Sequence, residues 1–271
     1  MVSQLIQTRF LQLIRPGRSG EIFVVLAAFV IVLVTVYLTS RGWKAFLRRL
    51  PIVDGIEAAV GRCAEMGRPV FFSSILGTLD KTEAAQTLAS LSTLGYVAKL
   101  AARYDVPIIV GVGVPETIPL IDDIVRGAFT EEGKLEKYRK EETIRFLAPD
   151  QWGFSSAVMG TLRRNPTGAN VMIGEMRGDT LMYFEPGAET GSLQIGGTST
   201  MSNLQWVAVA TDYSAIGEEV FALAAYVSKD PVLTNTLFGE DLVKFGLIAY
   251  VLAGILLAAG GSDLLVSLLR M

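Results

Sequence analysis

The chain has 271 residues, a formal net charge of −3 and a hydrophobic fraction of 51%. It contains no histidine and one cysteine, Cys63. These counts exclude a Ser-His-Asp triad, a Cys-His pair, a histidine-ligated metal and an intrachain disulfide. Catalysis would have to use carboxylates, lysine, tyrosine or a metal held by oxygen ligands. The body has no basic patch interleaved with aromatic residues, so nucleic acid is not an expected partner, and no cofactor is predicted.

Residues 1–20 are predicted to form an amphipathic helix in the interfacial region of a membrane. Apolar side chains recur there at helical spacing, and no acid occurs among the first fifteen residues. A helix packed on a neighbouring protein explains the same pattern equally well.

Residues 21–49 are predicted to hold a first transmembrane helix and a basic stop. The uncharged run Ile22–Thr39 has about eighteen residues, just enough to cross a hydrocarbon core roughly 30 Å thick. No small-residue cleavage site follows, which argues against a signal peptide. The residues predicted at the membrane interface are Arg41, Trp43, Lys44, Arg48 and Arg49.

Residues 50–241 are predicted to form a soluble α/β domain. Short runs rich in Val, Ile and Phe alternate there with amphipathic segments of helix length. Strands are predicted at about 70–75, 107–112, 143–147, 170–174, 193–196 and 206–210, with helices at about 53–66, 82–103, 115–129, from 149 and at 215–228. Asp80 is the predicted cap of the second helix. The pattern indicates a doubly wound, mostly parallel sheet of five or six strands with helices on both faces.

Residues 242–271 are predicted to hold a second transmembrane helix and a tail. The run Phe245–Ser262 contains no charged residue. Its glycines would allow close helix packing. The two predicted spans give a two-pass protein of the cell membrane, and the basic residues after the first span slightly favour a cytoplasmic body.

The loops at the carboxyl ends of the strands are the candidate ligand site, because open parallel sheets bind ligands there. Gly111-x-Gly113 begins like a dinucleotide fingerprint, but Glu116 stands where the third glycine belongs and would repel a phosphate. A tight strand-to-helix turn explains the glycines better. The candidate ligand-binding residues are Ser73, Ser74, Gly111, Gly113, Gly196, Gly197 and Thr198.

Glu185 and Glu189, four residues apart, are the candidate metal ligands for Mg²⁺ or Ca²⁺. Solvated helix acids or salt-bridge partners explain them just as well. No complete catalytic motif is present, so no catalytic residue is assigned. A hydrolase that uses Glu175, Glu185, Glu189 or Asp212 is one alternative.

Three segments, Pro51–Ile56, Glu189–Thr198 and Thr211–Glu219, resemble an uncharacterised family of prokaryotic membrane-anchored proteins, a domain of unknown function. The resemblance covers most of the body and the second predicted span. It implies a bacterial or archaeal origin, and it brings no activity, cofactor or site residues.

The function expected from the sequence is that of a membrane-anchored, self-associating scaffold with a Rossmann-like body, whose partners are the lipid bilayer and further copies of the chain. Two-point attachment restricts rotation and lowers the entropic cost of lateral association. One alternative is a membrane-tethered domain that binds a small ligand or acts as a sensor. The other is the carboxylate- or metal-dependent hydrolase.

Overall fold

The computed structural model describes residues 19–42, 49–80 and 82–260. The chain divides into two compact units. The larger unit is Leu47–Asp230, and the smaller one combines Met1–Phe46 with Pro231–Met271.

The larger unit contains six strands and eight α-helices within its described residues. The strands are β1 (Val70–Ile75), β2 (Ile108–Val112), β3 (Ile144–Phe146), β4 (Ala169–Glu175), β5 (Leu193–Thr198) and β6 (Tyr213–Ile216). Following α1 of the smaller unit (Ser19–Ser40), the helices are α2 (Pro51–Met66), α3 (Ala84–Arg103), α4 (Ile118–Glu131), α5 (Lys140–Thr143), α6 (Gln151–Arg164), α7 (Thr180–Glu189), α8 (Leu204–Ala210) and α9 (Glu219–Ser228).

The strands form one sheet in the order β3-β2-β1-β4-β5-β6, and every neighbouring pair is parallel. This is the strand order of the Rossmann fold. The chain reverses its direction of winding between β1 and β4, which makes this pair the switch point of the sheet. The predicted α/β class, with a parallel sheet covered by helices on both faces, is confirmed.

Both faces of the sheet are buried, which explains why β1, β2 and β4 consist mainly of apolar residues, with the buried polar side chains of Ser73, Ser74 and Asn170 among them. Every residue of β1 and β2 is buried. Phe72 belongs to the core beneath α2, α3, α4 and α9. Phe71 belongs to the second core, which also contains side chains of α6, α7 and α8. A parallel sheet covered in this way needs apolar side chains on both of its faces.

Two predictions for the last third of the body are wrong. The predicted strand at 206–210 lies in helix α8, where Val207 is buried and Val209 is 81% exposed. The sixth strand is instead Tyr213–Ile216, within a segment predicted to cap and begin a helix, and α9 begins only at Glu219. A short apolar run is compatible with the two-residue period of a strand and with the 3.6-residue period of a helix. The run at 206–210 is too short to distinguish the two.

The smaller unit is described as two helices, α1 and α10 (Pro231–Ala259), that pack against each other. The contact is close at Gly239, where an added Cβ would stand 2.7 Å from Thr35 Oγ1. Thr35 is buried, and its hydroxyl donates to the carbonyl of Val32 at 2.8 Å.

Among the described residues, no helix combines the length and the apolar character of a candidate membrane span. The two transmembrane helices predicted from the sequence are therefore not found in the structure. Residues 1–18, Trp43, Lys44, Arg48 and residues 261–271 lie outside the described part of the chain. Arg41 and Arg49 lie within it and are exposed, and Arg49 pairs with Asp54 and Glu57.

Candidate ligand site at the sheet switch point

The central strand β1 ends in a strained turn at the switch point. Ile75 has φ +61°, a left-handed conformation that is unfavourable for a β-branched residue. The N–H of Ile75 donates to Ser73 Oγ at 2.9 Å, and this hydroxyl donates to the carbonyl of Gly111 at 2.8 Å. Ser73 and the neighbouring Ser74 are buried. Ser73 therefore holds the turn and joins the ends of β1 and β2.

Gln86, in the first turn of α3, connects this helix to β4 and to the end of β5, beyond the switch point. Its Nε2 donates to the carbonyl of Gly174 on β4 and, at 3.1 Å, to Thr198 Oγ1 at the end of β5. Its Oε1 accepts from Ser199 Oγ at 2.5 Å. The Gln86 side chain is buried, so its amide is part of the floor of the switch point.

Two polar atoms of the loop between β1 and α3 are buried and have no hydrogen-bond partner among the described residues. They are Thr78 Oγ1 and Glu83 Oε2. The other carboxylate oxygen of Glu83 accepts from Thr82 Oγ1 at 3.1 Å. An unsatisfied buried polar atom costs free energy, so these two atoms are candidate contacts for a bound molecule. We call Thr78, Glu83, Gln86 and Ser199 the switch-point site.

The predicted glycine positions are places of close packing. A Cβ on Gly111 would stand 2.7 Å from Phe71 Cζ, and one on Gly113 would stand 2.5 Å from Leu76 Cδ2. On β5, added Cβ atoms at Gly196 and Gly197 would meet side chains of α7 and β6, namely Phe184 Cζ at 2.9 Å and Ala215 Cβ at 3.3 Å. Of the predicted ligand residues, the structure brings Thr198 into contact with Gln86 and pairs Ser73 with Gly111. Ligand binding by this set stays a prediction.

A buried carboxylate, Asp179, follows β4 and was not singled out from the sequence. Its oxygens accept from Gln151 Nε2 at 3.0 Å, from Ser155 Oγ and from the hydroxyl of Tyr183 at 2.7 Å. Burial, and then the neighbouring Asp179, raises the pKa of Tyr183, so its phenol stays a neutral donor. The network fastens α6 to α7 next to the switch point.

Most of the acids considered for metal binding or hydrolysis are engaged by another group of the protein. Glu185 and Glu189 are exposed on α7, and Glu189 pairs with Arg163 at 3.2 Å. Glu175 pairs with Arg177 at 3.0 Å, and Asp212 accepts the N–H of Gln194 at 2.7 Å. Over the described ranges, no group of three or more acidic or cysteine side chains could hold a metal ion. Metal binding by Glu185 and Glu189 stays a prediction.

Cys63 is expected to be inert in the folded protein. It is fully buried on α2, and burial raises the pKa of its thiol to about 11. At pH 8 the native thiolate population should be roughly two orders of magnitude below that of a free cysteine, whose pKa is about 8.5. Titration with a chromogenic disulfide reagent should show no fast reaction until denaturant is added, with Cys63→Ala as the blank. Equal rates in native and denaturing buffer would contradict the burial.

Comparison with curated proteins and with solved structures gives no match. A family model described as a domain of unknown function, DUF6754, matches residues 11–268. The match confirms the resemblance to an uncharacterised family, while the prokaryotic origin and the membrane anchoring implied by that resemblance stay predictions. The chain therefore belongs to the DUF6754 family.

Proposed function

We propose that this protein is a membrane-anchored scaffold. Helices α1 and α10 insert into a lipid bilayer and hold the Rossmann-like body beside it, and bodies of neighbouring copies associate laterally. The observation that carries the proposal is the apolar outer surface of the two helices.

Large apolar side chains are exposed along both helices of the smaller unit. Val25 on α1 is 68% exposed, and Leu256 on α10 is 74% exposed. The others include Leu26, Phe29, Val30, Leu33, Val34, Phe245, Ile248, Val251, Leu252 and Ile255. Each Å² of exposed apolar surface costs about 25 cal/mol in water. Large exposed apolar patches therefore mark contact with lipid or with another protein. Lipid is the proposed cover because few charges interrupt the two helices.

The lengths of the uncharged segments of α1 and α10 determine how far each helix could extend across a bilayer. At about 1.5 Å per residue, the uncharged part of α1 rises about 28 Å, and that of α10 rises about 22 Å by Ala259, against a hydrocarbon core of roughly 30 Å. A two-pass arrangement is part of the proposal. The excess of basic residues after α1 supports a body on the cytoplasmic side.

Self-association is supported by apolar side chains on the body. Helices α6, α7 and α8 pack side by side on one face of the sheet. Their exposed members are Trp152, Leu181, Trp206 and Val209, with Met201 in the turn that precedes α8 and 80% exposed. Attachment at both ends restricts the rotation of the body, so lateral contact through this face loses less orientational entropy.

The anchor is tested by placing charges in its apolar surface. The wild type is expected to float with phosphatidylcholine vesicles in a density gradient. Val30→Lys combined with Val251→Lys should abolish flotation, because each lysine near the middle of a helix costs about 3 kcal/mol in hydrocarbon. Leu88→Lys is the matched control, since Leu88 is 52% exposed on α3 of the body and should not matter. A wild type that stays at the bottom of the gradient would disprove anchoring.

Assembly is tested separately by mass photometry in nanodiscs large enough for several copies. Met201→Ser with Val209→Ser should shift the distribution towards single copies, whereas Leu88→Ser should leave it unchanged. Wild-type protein that remains monomeric at high protein-to-lipid ratio would remove self-association from the proposal, without affecting the anchor.

A second candidate function, ligand binding or sensing, is favoured by Thr78 Oγ1 and Glu83 Oε2, which have no hydrogen-bond partner within the described ranges. A carboxylate oxygen at the start of α3 disfavours phosphate and suits hydroxyl or amine donors. Polyols and nucleosides are therefore the compounds to screen by thermal shift. A compound that binds this site should stabilise the wild type and not Glu83→Gln. Equal stabilisation of both proteins would place its site elsewhere.

The hydrolase alternative has no comparable support, because Glu175, Glu189 and Asp212 are each engaged by another group of the protein.

A further inference from the structure

A cavity of about 610 Å³ opens at the amino ends of β1, β2 and β3, at the opposite edge of the sheet from the switch-point site. Its apolar lining includes Ile108, Ile109 and Phe129. Its polar lining includes Lys137, Arg139 and Arg145. The volume lies within the range of about 300–1,000 Å³ that is usual for small-molecule sites. We call it the amino-edge cavity.

Arg145, on the edge strand β3, supplies a half-buried positive charge to the cavity. Its side chain is half-buried, yet it forms no hydrogen bond or ion pair with any part of the chain that the structure describes. A guanidinium is always charged, and a partly buried charge without a partner is unfavourable. Arg145 therefore has the capacity to bind an anion that enters the cavity.

The cations around Arg145 outnumber the acids. Arg139 donates to the backbone carbonyls of Glu136 at 2.6 Å and of Tyr138 at 3.0 Å, and no carboxylate within the described ranges pairs with it. Lys134 and Lys137 share a single carboxylate, Asp105, at 2.8 and 2.7 Å.

The nearby acids do not cancel this charge. Hydrogen bonds from Lys134 and Lys137 hold the pKa of Asp105 below its usual value, so the Asp105 carboxylate is already committed to two ammonium groups. Glu142, the other acid of the lining, is exposed. Three cations of the lining, Lys137, Arg139 and Arg145, thus face two acids around an apolar floor, and the lining carries a net positive charge.

We propose that the amino-edge cavity binds an organic oxyanion, a carboxylate or phosphate ester attached to a small apolar group. The guanidinium groups of Arg139 and Arg145 supply planar pairs of N–H donors, which match carboxylate and phosphate oxygens. The apolar lining receives the rest of the molecule. The anion comes either from a soluble metabolite or from the headgroup of an anionic lipid, and both present the same chemistry.

Isothermal titration calorimetry of the full chain in phosphatidylcholine nanodiscs tests this site, with phenyl phosphate as the probe. Phenyl phosphate should bind at one site per chain, and more tightly than inorganic phosphate or phenol. Arg145→Gln should weaken it about tenfold or more, since the substitution removes the charged hydrogen bonds that the guanidinium donates to the anion. Arg145→Lys keeps the positive charge but lacks the planar pair of N–H donors, so it should give an intermediate affinity.

Arg163→Gln is the matched control, because Arg163 is an exposed arginine on α6 paired with Glu189. It should bind phenyl phosphate like the wild type. Arg139→Gln provides a second cavity variant if Arg145→Gln fails to fold. Repetition in nanodiscs that contain phosphatidylglycerol distinguishes the sources: lost phenyl phosphate binding identifies a lipid headgroup as the occupant, and retained binding identifies a soluble anion. Absence of phenyl phosphate binding in phosphatidylcholine, or equal affinity for wild type and Arg145→Gln, would overturn the proposal.

Discussion

Gly174→Ala is expected to lower the free energy of unfolding by about 3 kcal/mol. Gly174 lies near the carboxyl end of β4, with φ +157°, directly beside β1. An added Cβ would stand 2.3 Å from the carbonyl oxygen of Ser74 and 3.0 Å from its carbonyl carbon. These are backbone atoms of the central strand, so the clash can be relieved only by separating β1 from β4.

The same substitution should also disturb the switch-point site, because the carbonyl of Gly174 accepts the hydrogen bond from Gln86. Urea denaturation in detergent, followed by far-UV circular dichroism, measures the stability. Gly178→Ala is the control, because an added Cβ there meets no atom within 4 Å. It should change the stability by less than about 0.5 kcal/mol. If the two variants unfold at the same urea concentration, the close approach of β1 and β4 is wrong.

The class of the fold could be predicted because burial on both faces of the sheet leaves a direct pattern in the sequence. Val70–Phe72 and Ile108–Val112 are rich in Val, Ile and Phe, and a long amphipathic segment separates them. The strand order could not be predicted. The pairing of β1 with β4 joins segments about a hundred residues apart, and no local pattern records it.

The errors follow from short segments in which one pattern fits two structures. The apolar run around Val207 is only a few residues long, and α8 exposes one side of it. Strand β6 has four residues and lies at an edge of the sheet, where partial exposure weakens the apolar signal. The interruption at Pro186 made 179–190 ambiguous, yet helix α7 continues through the proline.

The residues of the candidate site were harder to predict than the strands that carry them. The strand-end loops that the sequence indicates include Thr78 and Ser199 of the switch-point site, since the rule for parallel sheets depends only on strand direction. Ligand binding by these loops stays a prediction. Gln86 was missed because its partners are far away in the chain: Ser199 is 113 residues distant. In the sequence, the glycines fit flexible or phosphate-binding turns. In the structure, most of them instead leave space for a neighbouring side chain, such as that of Phe71 or Leu76.

Asp179→Ala is expected to destabilise the body by about 4 kcal/mol, more than the glycine substitution. The carboxylate is buried and accepts from Gln151, Ser155 and Tyr183. Its removal leaves those three donors without their acceptor, and each unsatisfied buried group costs about 1–3 kcal/mol. Asp179→Asn should cost about half as much, because one amide oxygen still accepts while the amide nitrogen faces a donor.

Glu185→Ala is the matched control for Asp179→Ala, because it removes an exposed acid from α7, the helix that Asp179 precedes. Its unfolding free energy should stay within about 0.5 kcal/mol of the wild type. The network fastens α6 to α7 beside the switch point, and both helices also carry part of the apolar face proposed for self-association. Asp179→Asn, the milder variant, should therefore assemble less well in nanodiscs than Glu185→Ala does. A stability for Asp179→Ala equal to that of Glu185→Ala would show that the carboxylate is not the buried acceptor described.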